Sequence, residues 1–415
     1  MFRFIHAADL HLDSPLRGLA GKEGAPVERL RGATRRALEN LVDLALRESV
    51  DFVVIAGDLY DGDWRDHQTG LFFVRQAARL RQAGIPIYLI AGNHDAASVI
   101  TKKLALPDNV TSFPSGKPGT HLHPSLPVAI HGQSFASRSM TENLAVGYPD
   151  PIKGRFNIGV LHTSLTGFEG HDTYAPCSLT DLRARHYQYW ALGHIHLPAV
   201  LSEDPLIVFP GNTQGRHARE LGARGCRLVT VNDALAVATH EFVSLDTVRW
   251  ELVSADLSQI EDEDETLARI RDVLSEAVTD SSSCLLVVRL RLTGATALHA
   301  DLQTRLPHWI AQIESIVFTI GDERLWVESV VIATESIVDL ATLAARDDLA
   351  ALVIASLDQV EETIATRPGA IAKLLAYLPP AMAGSLADDL VGPALPDDVR
   401  SLVIGALTRS TDSET

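Results

Sequence analysis

The stretch YWALGHIHLP, residues Tyr189–Pro198, begins as a continuous apolar run and ends on a glycine followed by two histidines one residue apart. Its first half has the length and composition of a strand buried on both faces. In an extended chain, residues i and i+2 point to the same side, so His194 and His196 project into one space at the strand's carboxyl end. Two imidazoles sharing one space invite a metal ion.

The pattern recurs upstream. FRFIHA, DFVVIA, IPIYLIA and RFNIGVLH are further short apolar runs, and amphipathic helical segments are expected over Pro26–Arg47, His67–Gln82 and Leu179–Arg185. This alternation predicts an α/β layered core. In open sheets of that class the carboxyl ends of the strands line one crevice. Five strand ends here deliver polar residues of one chemical kind: Asp9 and His11; Asp58 and Asp61; Asn93, His94 and Asp95; His162; and His194 with His196. Gly57, Gly92 and Gly193 fall where the chain must turn close to that crevice.

Asp9, His11, Asp58, Asn93, His162, His194 and His196 offer seven hard or borderline donors, more than one tetrahedral ion uses and enough for two ions bridged by a carboxylate. Two ions roughly 3.5–4 Å apart can activate water and hold phosphate oxygens for an in-line displacement. Asp58, preceded by glycine, is the expected bridge. His162 taken alone would be read as a core histidine, as His6 is; the other four blocks turn it into a ligand candidate.

The 415 residues, 46% hydrophobic and 21% charged, suffice for two or three domains with a large core. The formal charge of −17 is unevenly distributed. Residues 1–230 hold 24 Lys and Arg against 22 Asp and Glu, and the remainder 12 against 31, so only the first part suits a polyanion. Paired strands are expected near Arg227–Val231 and Leu235–Val243. A second unit is expected over 255–336, with an acidic helix opening on EDEDE (Glu261–Glu265), the strand CLLVVRLRL, a helix around Ala297–Ile316 and the strand LWVESVVIA. Residues 337–415 are helical in pattern. Cys177, Cys226 and Cys284 are too scattered for a disulfide framework or a zinc site, and neither a secretory leader nor a membrane span is evident. The expectation is a cytoplasmic protein with reduced thiols.

The blocks as they stand, Asp9-Leu-His11, Gly57-Asp58, Gly92-Asn93-His94-Asp95, His162 and Gly193-His194-Ile195-His196, resemble those of the calcineurin-like metallophosphoesterases, in the same order. ADLHLDSPLRGL, YAPCSLTDL, YWALGHIH and FPGNTQGRHARELGARGC narrow the resemblance to the SbcD class of DNA-repair exonucleases and its YhaO branch. The resemblance implies a four-layer αββα sandwich over residues 1–254, a small α/β capping domain over 255–336 and a helical region over 337–415, whose apolar stripe either packs on its own domain or serves as a partner-binding face. It implies one metal on Asp9, His11, Asp58 and His196, and another on Asp58, Asn93, His162 and His194, with Mn2+ the expected ion. His94 is the expected non-ligand catalytic histidine, oriented by Asp95. Asp61 stands where archaeal and eukaryotic relatives carry a histidine, and a supporting role beside the metals is expected for it. The implied partners are DNA, an SbcC-like coiled-coil ATPase and a second copy of the chain.

The loop QGRHARE adds donors suited to phosphate, chiefly Arg216, with His217 and Asn212 as further substrate contacts. Cys177 is expected to be a packed thiol rather than a nucleophile. The leading expectation is metal-dependent, exonucleolytic hydrolysis of DNA. A small-molecule phosphodiesterase sharing the five blocks is the runner-up, and a chiefly regulatory subunit of an ATPase assembly the third reading.

Overall fold

The computed structural model describes residues 1–14, 25–61, 67–97, 105–165, 174–280, 284–320 and 324–337. Two compact units are present, the first formed by Met1–Glu251 with Ser281–Val287, the second by Leu252–Asp280 with the chain from Val288 on. The helical region expected over 337–415, with its partner-binding role, falls beyond the described residues after Ile337.

The strands in chain order are β1 (Phe2–Ala7), β2 (Phe52–Ala56), β3 (Ile87–Ile90), β4 (Val110–Ser112), β5 (Gly119–Leu122), β6 (Val128–Gly132), β7 (Phe156–His162), β8 (Tyr189–Gly193), β9 (Ala199–Glu203), β10 (Leu206–Phe209), β11 (Gly225–Val231), β12 (Val237–Ser244), β13 (Val248–Asp256), β14 (Leu285–Thr296) and β15 (Leu325–Ser336). The first unit contains two mixed six-stranded sheets, ordered β12-β11-β1-β2-β3-β4 and β5-β6-β7-β8-β10-β9.

Side-chain alternation decides the layering. Phe4, Phe52, Val54, Tyr88, Ile158, Val160, Tyr189 and Ala191 form one buried cluster drawn from both sheets, so the sheets pack face to face. The alternate residues of the first sheet, Ile5, Val53 and Ile55, pack with Leu38, Leu41, Phe73 and Leu80 of the helices Ala33–Arg47 and Gln68–Gln82. On the second sheet, Trp190 and Leu192 pack with Leu144 and Leu182 from the short helices Leu144–Gly147 and Leu179–Arg183. The result is the four-layer αββα sandwich, whose central strands are apolar on both faces because both faces are covered.

The helix expected over Pro26–Arg47 is interrupted at Gly32, and that expected over Ala297–Ile316 is two helices, His299–Thr304 and Leu306–Ile320, meeting at Arg305. In the second unit, helix Glu263–Asp280 joins those two, and Ile270, Leu274, Leu290, Leu292, Leu302, Trp309 and Ile313 are buried. The Trp309 indole donates to Asp301 at 3.1 Å. Among the described residues no helix is long and apolar enough to cross a membrane.

The register brings the site together. β1, β2 and β3 run parallel, as do β7 and β8, whose last pair is His162 with Gly193. The two groups of strand ends are joined across the sandwich: His162 Nδ1 donates to the Ala56 carbonyl at 2.9 Å, and the His194 amide to the Asp9 carboxylate at 2.9 Å.

Candidate metal centre

The strand ends leave β geometry abruptly. Asp9, His11, Asp58 and His194 adopt φ of 51°, 43°, 50° and 103°, a region that side chains rarely occupy. These turns are held by backbone bonds, His11 N–H to Asp58 C=O at 3.0 Å among them, and they aim the side chains inward. The close approach also explains the glycines. A Cβ on Gly193 would lie 2.0 Å from the Ala56 carbonyl oxygen, and one on Gly57, itself at φ +95°, 2.5 Å from His162 Nδ1.

Donor atoms of three triads, Asp9–His11–His196, His11–Asp58–His94 and Asp9–Asp58–His162, lie within 4.8 Å of one another. Asp58 Oδ2 stands 3.8 Å from His11 Nε2 and 3.5 Å from His162 Nε2, between the two groups expected to hold separate ions. Its Oδ1 accepts the His94 amide at 2.9 Å. Asn93 Oδ1 is 2.9 Å from His162 Nε2. His194 packs ring to edge against His162 at 5.2 Å between centroids, and its amide donates to the Asp9 carboxylate at 2.9 Å.

These residues fit divalent cations. Because His162 Nδ1 is spent on the Ala56 carbonyl, the neutral ring would turn its Nε2 lone pair toward Asn93 Oδ1 and Asp58 Oδ2, three acceptors for one cation; with no cation bound, a proton on Nε2 takes that place. His11 is fully buried, and its Nδ1 lacks a hydrogen-bond partner. The local potential draws positive charge: burial disfavours a charged His162, yet the Asp58 carboxylate outweighs it and pushes the imidazole up to about 9. His11 is instead lowered to about 3, by burial and then by Arg216, and stays neutral as a ligand must.

The expected partner of His94 requires correction. Asp95 does not meet the imidazole; its carboxylate accepts the amides of Leu59, Tyr60 and Gly92 at 2.9–3.1 Å and ties the loop after β2 to the loop after β3. Adjacent residues in the helix Asn93–Ala97 diverge by about 100° around its axis, so Asp95 turns away from the direction His94 takes. Asp61 takes the place behind the imidazole, with Oδ1 at 2.9 Å from His94 Nδ1. It also accepts from Ser14 Oγ at 2.7 Å and stands 3.7 Å from Arg216. Burial works against the Asp61 carboxylate, but the imidazoles of His11 at 3.6 Å and His94 at 2.9 Å and the Ser14 hydroxyl win and hold it far below the usual range. His94 is raised, burial being outweighed by Asp61 and Asp58, which suits an acid at neutral pH.

In the loop after β10 the three expected substrate contacts separate. Arg216 reaches the centre, with its guanidinium 3.7 Å from Asp61, 3.6 Å from Glu220 and 3.4 Å from His196 Nδ1. Asn212 is fully buried, and its amide donates to the Gln214 carbonyl and to Glu220, so it braces the loop and offers nothing to a substrate. His217 is half exposed and is 3.7 Å from Glu220, on the outside of the loop. Glu220 itself, absent from the residues singled out in the sequence, lies 2.6 Å from His196 Nδ1. The thiols are bystanders: burial pushes Cys177 up to about 11 and Cys226 up to about 12, and all three cysteines are buried.

Comparison with known families agrees with this geometry. The family described as Calcineurin-like phosphoesterase matches residues 2–198, and that described as Metallophosphoesterase YhaO, middle domain, matches residues 250–335. The chain is 38% identical over 319 residues to the metallophosphoesterase YhaO of Bacillus subtilis, an alignment covering 74% of this chain and 73% of that one. It is 27% identical to the DNA double-strand break repair protein Mre11 of Sulfurisphaera tokodaii, covering 49% of this chain and 51% of the relative. The Mre11 of Haloferax volcanii is 26% identical, with 78% and 68% covered.

Proposed function

The chain belongs to the calcineurin-like metallophosphoesterases and within them to the YhaO family, and from that premise we propose that it hydrolyses phosphodiester bonds of DNA from the strand end. The observation that carries the reading is the gathering of Asp9, His11, Asp58, His162 and His196 into overlapping triads, with His94 and Arg216 beside them. Asp9, His11, Asp58 and His196 would hold one divalent cation and Asp58, Asn93, His162 and His194 the other; manganese is the ion proposed, and the carboxylate and amide oxygens among the donors accommodate it. Bound there, the cations supply Lewis acidity toward phosphate oxygens and toward water.

The remaining work falls to the chain's own groups. Asp61 holds the His94 Nδ1–H, which fixes the ring and keeps it protonated, so His94 stabilises charge or gives a proton to the departing sugar oxygen. Arg216, already desolvated at the rim, receives a non-bridging phosphate oxygen. The relatives named as DNA double-strand break repair proteins support DNA over a small phosphodiester, as does the near-neutral charge of residues 1–230. The scattered spacing and burial of Cys177, Cys226 and Cys284 support a cytoplasmic setting.

Digestion of end-labelled single- and double-stranded DNA by the purified chain with Mn2+ tests the proposal. Shortening from the labelled end is expected. Binding of DNA to the metal-loaded His94→Gln variant should fall steeply with salt, and Arg216→Ala should flatten that slope by about one phosphate contact. Intact DNA alongside rapid hydrolysis of cyclic nucleotides would overturn it.

A further inference from the structure

Glu220 lies on the loop between β10 and β11, with its side chain 8% exposed although no part of the αββα core contains it. Both carboxylate oxygens are in use. Oε1 is 2.6 Å from His196 Nδ1, while Oε2 accepts the Asn212 amide at 3.0 Å and the Arg216 backbone N–H at 2.6 Å. The Arg216 guanidinium adds a contact at 3.6 Å.

A carboxylate in this setting can only accept, so the proton between it and His196 must sit on Nδ1. Arg216 Nη2, 3.4 Å from the same Nδ1, could only donate to it and would require the opposite tautomer. The distances decide: 2.6 Å is a strong charge-assisted bond, whereas 3.4 Å is at the limit of a weak one. In the neutral ring, the form that binds a cation, Nε2 is then the bare nitrogen, and it is the atom that stands 3.2 Å from His11 Nε2 and 3.9 Å from the Asp9 carboxylate. By gripping the Arg216 backbone, the same carboxylate also sets where that guanidinium projects, toward Asp61 and thus toward the acid His94.

We infer that Glu220 is a positioning residue that selects the metal-binding tautomer of His196 and fixes Arg216 in the same grip. The inference rests on the reading above of His196 as a ligand, and is independent of which phosphodiester is cleaved. Glu220→Gln is nearly isosteric and tests it. One amide oxygen cannot serve Asn212 and Arg216 on one side and His196 on the other. With the oxygen kept on the two-donor side, the amide nitrogen faces His196 Nδ1 and donates to it, which moves the ring proton to Nε2 and blocks the ligand atom.

Two measurements on the full chain decide. Long-range proton–nitrogen correlation of the metal-free protein, with the His196 signals assigned by their loss in His196→Gln, should find Nδ1 protonated in the native chain and Nε2 protonated in Glu220→Gln. Titration with Mn2+ should find one of two sites weakened about 10- to 100-fold in Glu220→Gln, the usual effect of losing a carboxylate behind a ligand histidine. Should Glu220→Gln fail to fold, the native tautomer alone decides. A native His196 protonated on Nε2, or Glu220→Gln binding manganese as the native chain does while His196→Gln does not, overturns the inference. If His196→Gln itself leaves manganese binding unchanged, the ligand reading falls and takes this inference with it.

Discussion

The smallest change that should disable the centre is a single methyl at Gly92. A Cβ built there lies 2.3 Å from Asp58 Oδ1, 2.8 Å from the Asp58 amide nitrogen and 2.8 Å from His162 Cε1, whereas ordinary contact begins at 3.4 Å. The carboxylate must therefore retreat by about 1.1 Å, beyond the ~0.5 Å within which a catalytic constellation remains productive. It cannot retreat freely, because Oδ1 accepts the His94 amide and the backbone nitrogen beside it is also in the way. Overpacking of this kind costs about 1–3 kcal/mol in stability, and displacement by about 1 Å costs about 100-fold in rate. Gly92→Ala is expected to remain folded with melting lowered by several degrees, to lose tight binding of at least one cation, and to hydrolyse DNA at least ~100-fold more slowly. Gly116→Ala is the control, since a Cβ there meets nothing within 4 Å and the backbone φ is ordinary. Metal content after gel filtration, saturating turnover with Mn2+ and thermal melting read the three effects. Two tightly held ions and a rate within about threefold of native in Gly92→Ala would refute the geometry on which the bridge assignment stands.

Asp58→Ala removes a donor from both triads that contain it, and metal analysis should find at least one ion lost together with hydrolysis of every substrate; two retained ions with near-normal turnover would refute the bridge. His94→Gln should keep its metals while turnover falls by about two to four powers of ten, and loss of metal would make it a ligand instead. Because Asp61 helps to raise His94, Asp61→Asn should move the alkaline fall of kcat to lower pH, and an unmoved limb would remove Asp61 from that role. His6, buried and satisfied as a neutral ring by Tyr189 Oη and the Leu192 carbonyl, is lowered to about 3, with burial the main cause. Its unfolded value is 6.5, so between these values the unfolded state holds the extra proton and stability is lost as pH falls from 6.5 toward 3, by about 4–5 kcal/mol in all. Denaturant unfolding with chelator present should show a shallower acid dependence in His6→Gln, and an unchanged slope would refute a neutral buried ring.

The donors were legible because each stands directly after an apolar run, and a parallel sheet carries run ends to one edge whatever their separation in sequence. That logic reaches no further than the strand ends. Asp95 follows His94 in the chain, yet Asp61, 33 positions earlier, is the carboxylate that meets it, because contact across loops is set by the turns after β2 and β3 rather than by adjacency. Glu220 was invisible for the same reason: an acid in RHARELG reads as an ordinary surface charge until the loop folds back over His196. Asn212 is the opposite case, since a polar side chain in a glycine-flanked loop looks available until the loop's own carboxylate claims it. The strands β6 and β9 are not legible in the sequence because runs of five residues between prolines and polar residues carry too little periodicity to count.

The departures from regular backbone and the steric demands of the glycines are two expressions of one constraint. To bring acceptors from five strand ends within coordination distance, the chain must leave extended geometry immediately after each strand. Asp9, His11, Asp58 and His194 do so at positive φ, at a cost of order 1–3 kcal/mol each where the conformation is sparsely populated. Such strain persists only where the surroundings over-determine it. Here the Asp9 and His11 amides are held by the Gly57 and Asp58 carbonyls, the His194 amide by the Asp9 carboxylate, and the His94 amide by the Asp58 carboxylate, so each of the four is tied through a backbone group to a neighbouring strand end. No room remains in that mesh for a side chain at Gly57, Gly92 or Gly193. A sandwich with the same core could fold with relaxed turns at these points, but its carboxylates would then face water separately rather than one another, and it would have no shared point at which to hold a cation.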